Sequence, residues 1–299
     1  MYIIQNYKMS LIDKQIVYFF SSAIDNGAII TAQNLAEGRK DEFSVQLNAP
    51  GLVVPHGAIN CTVEVTAASI WNSVPNISAK IGNNKFYFHT EYIPDIDPPN
   101  PPLPQDITVT IPDGLYGVSE LQGAIQRVLV NIGYPQDVLS LDEDEAQSKL
   151  VLNFGYADSW ADFTQPNSCR EVMGFDARLA PETPQPEPWL EIADNVASFN
   201  RTNSFLIRSD LVGNGIPVNN KASGILAQVL IDKPPGSQIS YTPIYPPRSD
   251  GSELVGHSKN YFNFFLVDQL GRETNTQGEE WSFTCVIRYQ MAIPNRYSR

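Results

Sequence analysis

Positive charge, cysteine, histidine and long apolar runs are what this 299-residue sequence has little of, and each shortage excludes something. Twenty Lys and Arg stand against 33 Asp and Glu, for a net charge of −13. A broad nucleic-acid-binding face needs clustered cations to neutralise phosphates, so the composition argues against one. Cys61, Cys169 and Cys285 form no CxxC and no metal-ligand spacing. Their odd number, with two at inward-facing strand positions, reads as reduced core thiols made in a reducing compartment. The three histidines, His56, His89 and His257, stand apart, without HxH or HExxH, and read as surface residues. No run approaches the ~18 apolar residues of a membrane span. The opening MYIIQNYKMSLIDKQIVYFF is interrupted by Lys8, Asp13 and Lys14. Three Asn-x-Ser/Thr triplets, at Asn60, Asn76 and Asn200, follow no signal peptide and read as incidental.

Chemical motifs are equally scarce. There is no GxSxG elbow and no P-loop, and Gly213-Asn214-Gly215 lacks both a third glycine and a following helix. Asp95 with Asp97, or Asp142 with Glu145, resemble an acid–base pair, but any acidic β-rich chain offers such neighbours. Asp142-Glu143-Asp144-Glu145 lacks EF-hand spacing and reads as a solvated turn. No catalytic, cofactor-binding or metal-binding residue is nominated, and no cofactor is implied. An enzyme can still assemble a site from distant residues, so a hydrolase on a β scaffold, with two carboxylates converging in a cleft, stays as a rival.

What the sequence does have is alternation. Its 23 prolines and 19 glycines suit a loop-rich all-β chain. The closing stretch, Lys259–Gln290, predicts two long strands joined by a polar hairpin. In the second strand Trp281, Phe283, Cys285, Ile287 and Tyr289 alternate with polar residues, broken only by Val286. The first is apolar on both faces, with Phe262, Phe264 and Leu266 on one side and Tyr261, Phe265 and Val267 on the other, as in a strand covered twice. The connector from Leu270 to Glu280 is predicted to be solvated. Further strands are predicted at residues 42–48, 59–70, 85–90, 106–111, 149–154, 204–209, 224–231 and 237–242. The single predicted helix starts at an N-cap Ser119, with Gln122 completing a capping box. It carries the stripe Leu121, Ala124, Ile125, Val128, Leu129 and Ile132, and stops at Gly133. About ten strands and one helix suit one antiparallel sandwich rather than two in tandem. The six prolines within residues 93–105 read as a stiff surface loop, with a ligand for a proline-binding domain as the sharper alternative. Tyr87, Val151, Leu206, Leu226, Leu230, Phe265 and Val267 fall on nominal outer faces, which suggests subunit contacts or coverage by the chain's own loops.

Six motifs occur in order: ASIWNSVPNIS…NNKFYF (Ala68–Phe88), IPDGLYGVSELQGAIQRVL (Ile111–Leu129), SCREVMGF (Ser168–Phe175), NSFLIRSDLVGNGIPVNN (Asn203–Asn220), PPGSQISYTPIYPP (Pro234–Pro247) and FFLVDQLGRETNTQGEEWSFTCVIRY (Phe264–Tyr289). Together the series resembles the jelly-roll minor capsid, or penton, proteins of Polinton/Maverick-type elements, virophages and related tailless icosahedral viruses. The resemblance implies a single jelly-roll β-sandwich that self-associates, a pentamer being favoured, at the vertices of a virion made in the host cytoplasm. It implies a major capsid protein as neighbour, with a spike protein as a further partner, and no catalytic residues. Its expected layout is an N-terminal arm over residues 1–40, a jelly-roll domain over 41–290 with an irregular insertion at about 155–200, and a tail over 291–299. Arg296 and Arg299 of that tail, with Arg288 before them, offer a weak contact to a genome or inner membrane. Two alternatives stay open: a double-jelly-roll major capsid protein and a glycan-binding receptor spike.

Overall fold

The computed structural model describes residues 11–93, 103–144, 146–217 and 223–293. Expectations for residues 1–10, most of the proline-rich loop, Asp95, Asp97, Glu145, Arg296 and Arg299 lie outside the described residues.

The chain opens with β1 (Leu11–Ser21), the short helix α1 (Ala32–Ala36), β2 (Glu42–Gln46), β3 (Leu52–Val53) and β4 (Ile59–Trp71). Next come β5 (Lys85–His89), β6 (Asp106–Thr110), α2 (Val118–Ile132), β7 (Leu139–Asp144) and β8 (Lys149–Phe154). They lead to β9 (Trp160–Asp162), α3 (Arg170–Met173), β10 (Leu179–Ala180) and β11 (Trp189–Ile192). The chain closes with β12 (Ser204–Ser209), β13 (Ile225–Leu230), β14 (Gln238–Tyr241), β15 (Arg248–Asp250), β16 (Ser258–Lys259), β17 (Tyr261–Asp268) and β18 (Ser282–Ala292). Two compact units result. One holds the described residues up to Val74 and from Thr202 onward, and the other is Pro75–Arg201.

The first unit is a jelly roll. Its sheets run β1-β18-β4-β14, with β15 also on β4, and β2-β17-β12-β13. Numbering β1, β2, β4, β12, β13, β14, β17 and β18 from one to eight, the rows read 1-8-3-6 and 2-7-4-5. That is the interleaved order of an eight-stranded double-sheet jelly roll. The period-2 faces meet in the middle, where Phe20, Phe43, Phe205, Phe262, Phe264, Trp281 and Phe283 are buried.

The closing hairpin does not form. β17 and β18 belong to opposite sheets, and the Phe264 and Phe283 rings meet edge-on at 5.1 Å across the core. Two strands whose aromatic faces both need burial satisfy each other face to face, and the 269–281 connector spans the layers. That connector is less solvated than expected. Thr274 and Thr276 are buried; Thr274 Oγ1 donates to the Leu266 carbonyl at 2.8 Å, and Thr276 Oγ1 accepts from Lys40 N–H at 2.9 Å.

Residues 11–21, expected within an arm, form the edge strand β1. It pairs with β18 from Leu11↔Ala292 to Ser21↔Ser282, with Phe20 in the core and Ile16 and Tyr18 packed on it. The alternation there is masked because the outward positions Val17 and Phe19 are apolar too. The expected boundaries of the insertion also differ: residues 85–154, read as jelly-roll strands, belong to the second unit together with 155–200.

The second unit has sheets β10-β9-β5-β6 and β11-β8-β7, with its own core. α2 buries Leu121, Ala124, Ile125 and Leu129 among strand residues that include Phe86, Phe88 and Phe154. The helix begins before Ser119: Gly117 is its N-cap, and the Glu120 carboxylate, not Gln122, accepts from the Gly117 N–H at 3.1 Å. Gly133 ends it with a left-handed φ of 115°, as its position past the stripe predicts. The acidic run is strand before it is turn. Asp142 to Asp144 close β7, and Asp144 Oδ1 accepts from the N–H of Ala146 and Gln147 to start the reversal into β8.

Candidate functional site

Among the described residues no group of three or more His, Cys, Asp and Glu side chains is placed to hold a metal ion. All three cysteines are free and buried. Burial pushes the Cys61 thiol up to about 11 and those of Cys169 and Cys285 up to about 12, so none supplies a thiolate at neutral pH. His56 and His257 are exposed, as expected of surface histidines. His89 is not: its side chain is only 12% exposed. Its ring stacks on Trp160 at 3.7 Å and 14°, Nδ1 lies 2.6 Å from Asp106 Oδ1, and Nε2 lies 3.4 Å from Glu91 Oε1. On the neighbouring strand β9, two residues past Trp160, sits Asp162. Burial opposes its charge, yet hydrogen bonds from Thr164 and Gln165 outweigh that and hold its carboxyl below the usual range.

Surfaces, rather than a catalytic centre, dominate the functional candidates. β1 closes one edge of its sheet, and its odd positions face outward. There Val17 is 55% and Phe19 64% exposed, with Leu11 also exposed. An apolar strand at a sheet edge is a template for another chain. Two strands in from that edge, Glu64 is fully buried on the outward face of β4 and accepts from Nε of Arg288 and, at 3.3 Å, from Nε of Arg248. A second exposed apolar group is the loop tip Ile244-Tyr245, between β14 and β15, and a third is β11 with Trp189, Leu190 and Ile192.

Several residues predicted to face outward are covered. Leu206 and Val267 join Ile225 in a small buried cluster under Ile216 and Phe265, so the loop after β12 covers that face. Leu226 lies in the main core. The register slips between Ile207 and Arg208, where Ala227 and Ile225 are the successive partners, and Leu226 is the extra residue of a bulge that swaps faces. Val151 is buried in the second unit, and Tyr87 is half-buried with its hydroxyl donating to the Pro166 carbonyl at 3.0 Å. Leu230 stays exposed, as expected. The sequence reading missed Val17, Phe19 and Trp160. The first two were legible as apolar positions without a period, whereas Trp160 carried no local signal.

No protein-family model and no curated protein matches the chain. Among solved structures, the crystal structure of selenomethionine-labelled mavirus penton protein aligns with a TM-score of 0.46 at 10% identity, covering 92% of this chain and 100% of that one. A chain of the Sputnik virophage, from a cryo-EM structure at 3.5 Å resolution, aligns with a TM-score of 0.43 at 16% identity, covering 91% of this chain and 97% of that one.

Proposed function

We propose that this chain is a viral structural protein, a minor capsid or penton building block that self-associates, a pentamer being favoured, at icosahedral vertices. The observation that carries the reading is the jelly-roll strand order ending in an edge strand whose outward Val17 and Phe19 lie largely bare. The ordered motifs of the sequence support the same reading. Assembly would draw on burial of that apolar face, at ~25 cal/mol per Å². A closed ring places one patch of each copy against a different patch of the next. The acidic balance of the chain limits non-specific association. The role is structural rather than enzymatic, with a major capsid protein as neighbour.

The double-jelly-roll alternative draws less support. The second unit's rows β10-β9-β5-β6 and β11-β8-β7, built around a helix, do not repeat the interleaved order. Light scattering on the purified chain tests the proposal. A mass of five copies is the expected result, and Val17→Asp with Phe19→Asp lowers it. A mass of three copies turns the assignment to a major capsid protein, and a stable monomer at high concentration overturns both.

A further inference from the structure

We propose that the solvent face of the sheet β10-β9-β5-β6 is a binding site for a neutral sugar. Strand alternation builds this face. Phe86, Phe88, Ile107, Val109 and Ala161 point into the core of the second unit. The intervening residues therefore point outward, and the register aligns them in rows. Trp160, His89 and Asp106 lie side by side across three strands, and Tyr87 pairs with Thr108 in the row below. Asp162 and Gln165 complete a depression of about 210 Å³. That is below the ~300 Å³ at which pockets for drug-sized ligands begin, so it suits a group of monosaccharide size.

The chemistry is that of a ligand with one apolar face and a hydroxylated rim. A solvated sheet face has no structural need of a tryptophan. Trp160 is half-buried there, and its indole is held parallel to the His89 ring. The imidazole is in turn fixed between Asp106 and Glu91, and Glu91 Oε2 also accepts from Gln105 Nε2 at 2.5 Å. The aromatic pair is thus preorganised before any ligand arrives. A pyranose presents C–H groups on one face, which suit an aromatic ring, and hydroxyls around its edge, which need acceptors and donors. Asp106 supplies an acceptor with its side chain 91% exposed. Thr108, Gln165 and the Tyr87 hydroxyl stand around it. Thr164 and Gln165 donate three hydrogen bonds to Asp162, at 2.6 to 2.9 Å, which locks that carboxylate in place.

Charge selects within the class. Three carboxylates, Glu91, Asp106 and Asp162, surround the aromatic pair, and neither Lys nor Arg lines the depression. Sialylated and sulfated sugars are repelled, which leaves neutral hexoses and N-acetylhexosamines. A cationic ligand matches the charge as well. Asp162 is engaged by Thr164 and Gln165, and Glu91 by His89 and Gln105, so Asp106 alone is a largely exposed carboxylate, and one acceptor serves a hydroxyl rim better than it encloses a point charge. A sugar site here stands whether or not the chain assembles.

Saturation-transfer difference NMR on the full chain tests this with methyl glycosides of glucose, galactose, mannose and N-acetylglucosamine, beside N-acetylneuraminic acid and choline. At least one neutral glycoside is expected to bind, and the two charged probes are not. Trp160→Ala lowers that affinity at least tenfold, about 1.4 kcal/mol, whereas Trp160→Phe retains part of it. Asp106→Asn, at an exposed position that spares the fold, weakens it severalfold, and His56→Ala in the first unit leaves it unchanged. Absence of any neutral-sugar signal overturns the proposal. So does stronger binding of choline or N-acetylneuraminic acid, or binding that survives both Trp160→Ala and Asp106→Asn.

Discussion

The two units of this chain close in opposite ways. In the jelly roll, neighbours come from the far ends of the sequence: β1 pairs with β18, and Gln290 Nε2 donates to Asp13 Oδ1 across 277 residues. In the second unit most pairings are closer in sequence, the β5–β9 pair of Phe88 with Ala161 excepted. β7 and β8 form a hairpin in which Asp144 pairs with Lys149, and α2 packs among strands on either side of it in sequence. A unit that closes locally around its own core can occupy the connection between β4 and β12 without altering the interleaved order. A unit built from distant strands carries the larger loop-closure cost and depends on all eight strands at once.

The two cores differ in what holds them together. Phe264 is fully buried against Phe20, Phe43, Phe262 and Phe283. Phe264→Ala is expected to cost ~3–5 kcal/mol in urea unfolding of the jelly roll. Leu152, buried in the second unit, is the counterpart, and Leu152→Ala costs ~2–5 kcal/mol there. Trp71 and Trp281 report on the first unit and Trp160 and Trp189 on the second, so single-tryptophan variants separate the transitions. If each substitution shifts both reporters equally, the units are not independent and the comparison fails.

Alkaline pH separates the two units further. Burial keeps the native thiols protonated to about 11 at Cys61 and about 12 at Cys285 and Cys169, whereas unfolded thiols titrate near their ordinary value of ~8.5. Between those limits the unfolded chain releases protons that the folded chain keeps, so stability is intact below pH ~8.5 and falls as pH rises. The slope is up to ~1.4 kcal/mol per pH unit for each thiol. With Cys61 and Cys285 in the jelly roll and only Cys169 in the second unit, urea midpoints between pH 8 and 10 should drop more steeply for the jelly roll. Equal slopes contradict this. The smallest effect belongs to the helix: Glu120→Ala removes the acceptor of the Gly117 N–H and should cost ~0.5–1 kcal/mol in the second unit alone.

The parts legible in the sequence are those with one clean period. β4, β12 and β18 were apparent from alternation, and α2 from its stripe, although its start lay at Gly117 because Glu120 reaches back to that residue. β1 was not legible as a strand, since Val17 and Phe19 fill the positions that polar residues would mark. Leu226 falls on the inward face because it is the extra residue of a bulge, which leaves Ala227 and Val229 inward and turns Ile225 to the opposite face. The His89–Trp160 stack had no signal at all: its members come together only through the β5–β9 pairing.

Where a strand keeps one clean period, its residues alone fix which side chains turn inward, because burial of apolar groups at every second position is a local property. Which strands lie side by side, and hence which outward faces form a bare edge or an aromatic depression, only the tertiary structure decided. The physical reason is that alternation specifies a face and not a partner. Two aromatic strands such as β17 and β18 can pair edge to edge or oppose each other across a core, and the shared need of Phe264 and Phe283 for burial selects the second arrangement.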